Sequence, residues 1–302
     1  MTERRIGDDD AWFGCHSDRR TTGDGMKLEQ SVARHYTHGS FEPAILEALT
    51  AAGKDLDRLA PSDLAPVDEF HIGGRQATAD LAAQIGFGAG LHLLDIGCGL
   101  GGASRYFAHE RGCRVTGIDL TEEYVRWPKR SRGASGWRTG LHTGTAARST
   151  CRSRRETFDG AYMLHVGMNI DDKKKAFAEV RRVLKPGGSF AIYDVMRESG
   201  EGELSFPVPW AASPEASFVE SAATYRRLPG GCRLCGREGT EPPRIRHRVF
   251  PSDACPGGRD RRTAAARLAN SDGCLGAAEG REHDRQPRAG LIAPTEIVSR
   301  AI

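Results

Sequence analysis

The chain has 302 residues, enough for one large α/β domain whose core needs no metal or disulfide to fold. Hydrophobic residues make up 38%, no apolar run reaches the 18 residues of a membrane span, and the N-terminal MTERRIGDDDAWFG has no apolar stretch of a secretion signal. These features point to a soluble, cytoplasmic chain. The net charge of +3 conceals a division. Residues 127–155 carry Lys129 and seven Arg with no acid (net +8), residues 229–289 carry twelve Arg against eight acids (net +4), and the remainder is acidic at −9. Basic charge confined to two segments argues against a nucleic-acid surface spread over a fold.

The eight Cys suggest no disulfide framework. Cys232 and Cys235 form a C-x-x-C, but a zinc ribbon wants a second close pair and none follows, so reduced thiols and no metal are expected.

In chain order, residues 1–25 are polar and aperiodic and read as a disordered extension, with Met26 as the natural start. Apolar residues at three- and four-residue spacing then predict helix through 26–53. DEFHIGGRQATADLAAQIGF (68–87) predicts a turn at Gly73–Gly74 followed by a helix. LHLLDIG (91–97) reads as a buried parallel strand, 102–112 as a helix, and CRVTGIDL (113–120) as a second strand. FDGAYMLHV (158–166) is a further strand, 171–188 a helix stopped by Pro186 and two glycines, and SFAIYDVM (189–196) another strand. Such alternation predicts a Rossmann-like, doubly wound, mostly parallel α/β sheet. Its layout would be a helical substrate-side cap over 26–90, a core over 91–228 interrupted at 127–155, and an irregular tail over 229–302.

The chemistry concentrates in Asp95-Ile96-Gly97-Cys98-Gly99-Leu100-Gly101-Gly102, between a strand and a helix. Glycines let the backbone approach a ligand, and the following helix N-terminus offers free N–H groups to it. Gly97, Gly99 and Gly102 also satisfy the dinucleotide fingerprint, so a nicotinamide-dependent oxidoreductase is an alternative. Asp119 ends the second strand, and Leu184-Lys185-Pro186-Gly187-Gly188 breaks a helix before a strand.

LLDIGCGLGGASRYFA, VTGIDL, FDGAYMLHVGMNIDDKKKAFAEVRRVLKPGG and FAIYDV, taken together, resemble consecutive motifs of class I S-adenosylmethionine-dependent methyltransferases. Within these the chain is most similar to the sarcosine/dimethylglycine, tocopherol and ubiquinone-type small-molecule enzymes, which DEFHIGG and FPVPWA (206–211) also resemble. The resemblance implies S-adenosyl-L-methionine as cofactor and a small-molecule methyl acceptor. It places Asp95, Gly97, Cys98, Gly99, Gly101, Asp119, Leu120, Leu164 and His165 around the cofactor, with Asp95 at its cationic amino-acid end and Asp119 at the ribose. His71 and His165 are the candidate catalytic residues, with Tyr162 a third candidate for acceptor contact.

Two stretches depart from that pattern. Residues 127–155 contain no Ile, Val or Phe and no period, so the third strand and its adenine loop are expected to be disrupted, as are the final strands that close the sheet in the irregular tail 229–302. Both stretches read like GC-rich coding DNA translated out of frame, with impaired catalysis as the expected consequence. The Arg clusters alternatively suggest non-catalytic nucleic-acid arms, but aromatic stacking partners in them are sparse.

Overall fold

The computed structural model describes residues 32, 33, 35, 41–69, 71–124, 141–145, 153–198, 202–228 and 291–300. The extension 1–25, the adenine loop, Cys232, Cys235 and most of both Arg-rich stretches lie outside them. Helices α1 (Phe41–Ala51), α2 (Pro61–Asp68) and α3 (Gly74–Gln84) precede the first strand. Then follow β1 (His92–Ile96), α4 (Gly102–Glu110), β2 (Arg114–Asp119), β3 (Leu141–Thr145) and β4 (Phe158–Leu164). The described residues end with α5 (Lys173–Val183), β5 (Leu184–Arg197), α6 (Ala222–Arg227) and β6 (Ile292–Arg300).

The six strands form one sheet in the order β3-β2-β1-β4-β5-β6. All neighbouring pairs are parallel except β5–β6, which runs antiparallel from Ser189↔Arg300 to Arg197↔Ile292. Alternate residues of the central strands feed two cores, as the two-residue period of a strand requires. On one face Leu94, Ile96, Ala161, Met163, Phe190 and Ile192 pack with Phe177 and Val180 of α5 and Tyr225 of α6. On the other, Leu93, Val115, Tyr162, Leu164 and Tyr193 pack with Ala77 and Leu81 of α3 and Phe107 of α4. Helices on both faces of a mostly parallel sheet make it doubly wound, as predicted.

Local chemistry explains the helix ends. Asp172 caps α5 by accepting from the Lys175 amide at 2.9 Å, and Arg181 and Arg182 complement its last turn. The helix predicted over 171–188 stops at Val183, because Pro186 disfavours helical geometry before it; Leu184 is already extended and starts β5.

Two expectations of disruption are corrected. Leu141–Thr145 does form the third strand, pairing with β2 from Val115↔Leu141 to Asp119↔Thr145. Pairing is a backbone interaction, and a segment containing Thr143 and Thr145 satisfies it at the sheet edge without a continuous apolar run. The C-terminal β6 likewise closes on β5, burying Ala293, Thr295, Ile297 and Ser299, with Glu296 buried among them. Its Pro294 is tolerated where one side of the strand carries no neighbour among the described residues.

Candidate active site

Every parallel strand points its C-terminal end at the same edge of the sheet, and the loops there build the site. The loop after β1 turns back through Gly97, Gly99 and Gly101, all left-handed with φ of 71°, 53° and 86°. At Gly97 a second constraint applies: a Cβ would lie 2.3 Å from Val166 Cγ2, so the loop after β4 presses directly on it. The Gly97 and Cys98 amides both donate to the Ile118 carbonyl, at 2.8 and 3.0 Å, tying the loop to β2. Cys98 turns its thiol into the interior, where a Cβ on Gly117 would meet it at 2.9 Å, so any contact it makes with a ligand runs through its backbone.

Asp119 braces the loop from the end of β2. Its Oδ2 accepts from the Gly99 amide at 2.9 Å and its Oδ1 from the Thr121 amide at 2.8 Å. Asp119 and Leu120 are half-buried. A carboxylate oxygen has two acceptor sites, so each oxygen keeps one for a ligand hydroxyl. The S-adenosylmethionine ribose, with its two adjacent hydroxyls, fits that arrangement.

Asp95 is only 2% exposed, and its Oδ2 accepts from Ser104 Oγ at 2.6 Å and from the Tyr162 hydroxyl at 3.0 Å. Burial raises its pKa to about 7, against the lowering effect of these two hydrogen bonds. Tyr162 is itself fully buried and spends its hydroxyl on Asp95, so the structure takes it away from the acceptor side, where sequence reading had placed it as a candidate. Leu164 is buried in the core beneath the loop.

His71 and His165, far apart in sequence, come together here. Their ring centroids lie 6.0 Å apart, and both rings pack on Tyr193, at 6.1 and 5.1 Å. His165 follows β4 with a left-handed φ of 52°, its amide donates to the Tyr193 carbonyl at 2.7 Å, and its buried Nε2 has no hydrogen-bond partner. A left-handed backbone is uncommon for a residue with a side chain, and a buried ring nitrogen without a partner is uncommon too. Burial lowers the pKa of His71 to about 4 and, helped by the neighbouring His71, that of His165 to about 3, so both rings are neutral near pH 7.

The acids before His71 in DEFHIGG carry no local sequence signal and join the site only through the fold. Asp68 ends α2 and forms a buried ion pair with Arg105 of α4; Glu69 follows, 1% exposed at its side chain. A Cβ on Gly102 would fall 2.5 Å from Glu69 Cγ and 2.7 Å from Asp68 Oδ1, which brings both acids against the start of α4. Asp68 Oδ1 and Glu69 Oε1 are buried without hydrogen-bond partners. Ile45, Leu49, Leu64 and Val67 of the N-terminal helices share a core with Leu100 of the glycine loop.

Residues 94–192 match the methyltransferase domain family Methyltransf_11. Among curated relatives, phosphoethanolamine N-methyltransferase 1 of Triticum aestivum is 33% identical over 44% of this chain and 26% of its own length. O-methyltransferase resE of Aspergillus sclerotiorum is 27% identical over 42% of this chain and 48% of its own. The chain thus spans about half or less of these relatives' length. A solved structure of geranyl diphosphate C-methyltransferase from Streptomyces coelicolor A3(2) shares the fold at a TM-score of 0.61 and 17% identity, covering 91% of this chain and 98% of that one. Over the matched residues 94–192 the chain is similar to S-adenosylmethionine-dependent methyltransferase domains. With the family match and these relatives all methyltransferases, the oxidoreductase and nucleic-acid alternatives are left without support.

Proposed function

We propose that this chain transfers the methyl group of S-adenosyl-L-methionine to a small-molecule acceptor. The observation that carries this is the glycine loop braced by Asp119, with one acceptor site left on each carboxylate oxygen at the end of β2. In this reading Gly97, Gly99 and Gly101 admit the cofactor to the backbone, Asp119 and Leu120 flank its ribose, and Leu164 floors the site. Asp95, held by Ser104 and Tyr162, fixes the loop from behind. When bound, S-adenosyl-L-methionine supplies an electrophilic methyl group on a sulfonium.

What the chain must then provide is proximity, a dry site and a proton acceptor for acceptors that carry one. His165, kept neutral by burial, offers its open Nε2 as a hydrogen-bonding group that orients the acceptor, and His71 packs beside it. The cap helices over Leu100 exclude water. The named relatives methylate nitrogen, oxygen and carbon, so family likeness leaves the nucleophile open; the acceptor has to be found by screening.

Calorimetric titration with S-adenosyl-L-homocysteine tests the cofactor half. Asp119→Ala is expected to weaken binding by about ten- to a hundredfold, the loss of charge-assisted hydrogen bonds worth about 1.5–3 kcal/mol. Equal affinity in the two proteins would remove Asp119 from the cofactor site.

A further inference from the structure

Thr78 of α3 is fully buried and stands between two groups that both need its hydroxyl. Its Oγ1 donates to Glu69 Oε2, and the same oxygen lies 3.1 Å from His71 Nε2. The turn through Gly73 and Gly74 brings Glu69 and His71 back onto α3 and makes this juxtaposition; the Gly74 amide donates to the His71 carbonyl at 3.0 Å. Glu69 Oε2 is itself 3.7 Å from His71 Nε2.

A hydroxyl has one proton to give, and Glu69 Oε1 has no hydrogen-bond partner and faces Arg75, so with the acid proton carried on Oε2 the three groups admit two arrangements. With Glu69 ionised, Thr78 gives its proton to the carboxylate and can only accept from His71, whose Nε2 must carry hydrogen. With Glu69 protonated, the acid donates to Thr78, Thr78 donates to His71 Nε2, and the neutral ring must hold its hydrogen on Nδ1. We propose that Glu69, acting through Thr78, is a positioning residue that sets which nitrogen of His71 carries the proton. The ring's donor and acceptor edges beside His165 and Tyr193 therefore exchange when Glu69 titrates.

The surroundings put that exchange in the accessible range. Glu69 is raised to about 7 by burial and by Asp68, while Thr78, Arg75 and Arg105 act in the opposite sense. Arg75 Nη1 is 3.9 Å from Glu69 Oε1, and Asp68 is paired with Arg105. His71 stays neutral throughout that range, held at about 4 by burial against a backbone hydrogen bond with Gly74. The ring's proton count is unchanged: as Glu69 ionises, its proton passes through Thr78 to Nε2, and the Nδ1 proton leaves to a base in solution.

This rests on the reading of His71 as part of the acceptor site, but its test does not need turnover. Histidine-labelled full-length protein is followed by long-range ¹H–¹⁵N correlation from pH 5.5 to 8.5, with His71→Ala assigning the signal. The Nδ1–H form is expected at the acid end and the Nε2–H form at the alkaline end, and Glu69→Gln and Thr78→Val are each expected to hold one form at every pH. A wild-type His71 with a single tautomer across the range, or a switch that survives in Glu69→Gln, would overturn the proposal. Calorimetry with S-adenosyl-L-homocysteine on the same samples keeps the two readings separate: a switching His71 in a chain that does not bind it would support the relay and overturn the cofactor reading.

Discussion

Asp95 illustrates how a single side chain takes its role from its surroundings. Its place before the first glycine predicts that it meets the cationic end of the cofactor, and in the fold Ser104 and Tyr162 both donate to one of its oxygens. Its folded pKa of about 7 exceeds the ordinary 3.8, so folding favours the protonated form. That contribution is complete below about pH 4 and is lost as pH rises through about 7, at up to about 1.4 kcal/mol per pH unit. Asp95→Asn should therefore shrink the difference in melting temperature between pH 5 and pH 8; an unchanged difference would mean that Asp95 is ionised in the folded chain. Gly97 is constrained twice, by its φ of 71° and by Val166. Gly97→Ala is expected to cost roughly 2–5 kcal/mol in denaturant unfolding, adding left-handed strain to overpacking. The glycines and Asp119 were legible from their spacing alone. Glu69, Thr78 and Tyr193 were not, because no local pattern announces a group whose importance lies in what folds against it.

Among the secondary elements, those with a strong apolar period were legible and those made by pairing were not. β1, β4 and the C-terminal part of β5 are largely apolar because both their faces are covered, and α5 carries Ala176, Phe177, Val180 and Val183 along one side. β3 has no such signature; it exists because β2 offers it a row of backbone groups. β6 reads as a modest alternating segment and becomes part of the sheet by lying antiparallel on β5. Deleting residues 291–302 would uncover the edge of β5 and the apolar face around Val195 and Ile192. The truncated chain is expected to elute as aggregates in size-exclusion chromatography, whereas a monodisperse product of normal melting temperature would make β6 dispensable.

Across the molecule, the cap helices, glycine loop and sheet edge are bound through shared cores, so cofactor binding and stability should be linked. S-adenosyl-L-homocysteine at a hundred times its Kd is expected to stabilise the chain by about 2.7 kcal/mol, read as a rise in melting temperature that Asp119→Ala reduces. No helix among the described residues is long and apolar enough to cross a membrane. The amino-acid sequence by itself determined the alternating α/β order, the glycine loop between β1 and α4, and the acid at the end of β2, since each is written in neighbouring residues as a period, a turn chemistry or a fixed spacing. Only the tertiary structure decided that the sheet has a third strand and a C-terminal strand, that Asp95 and Tyr162 support the loop from behind, and that Glu69, Thr78, His71 and His165 meet. Those features arise from contacts between segments distant in the chain, where backbone pairing and burial override what either segment favours alone.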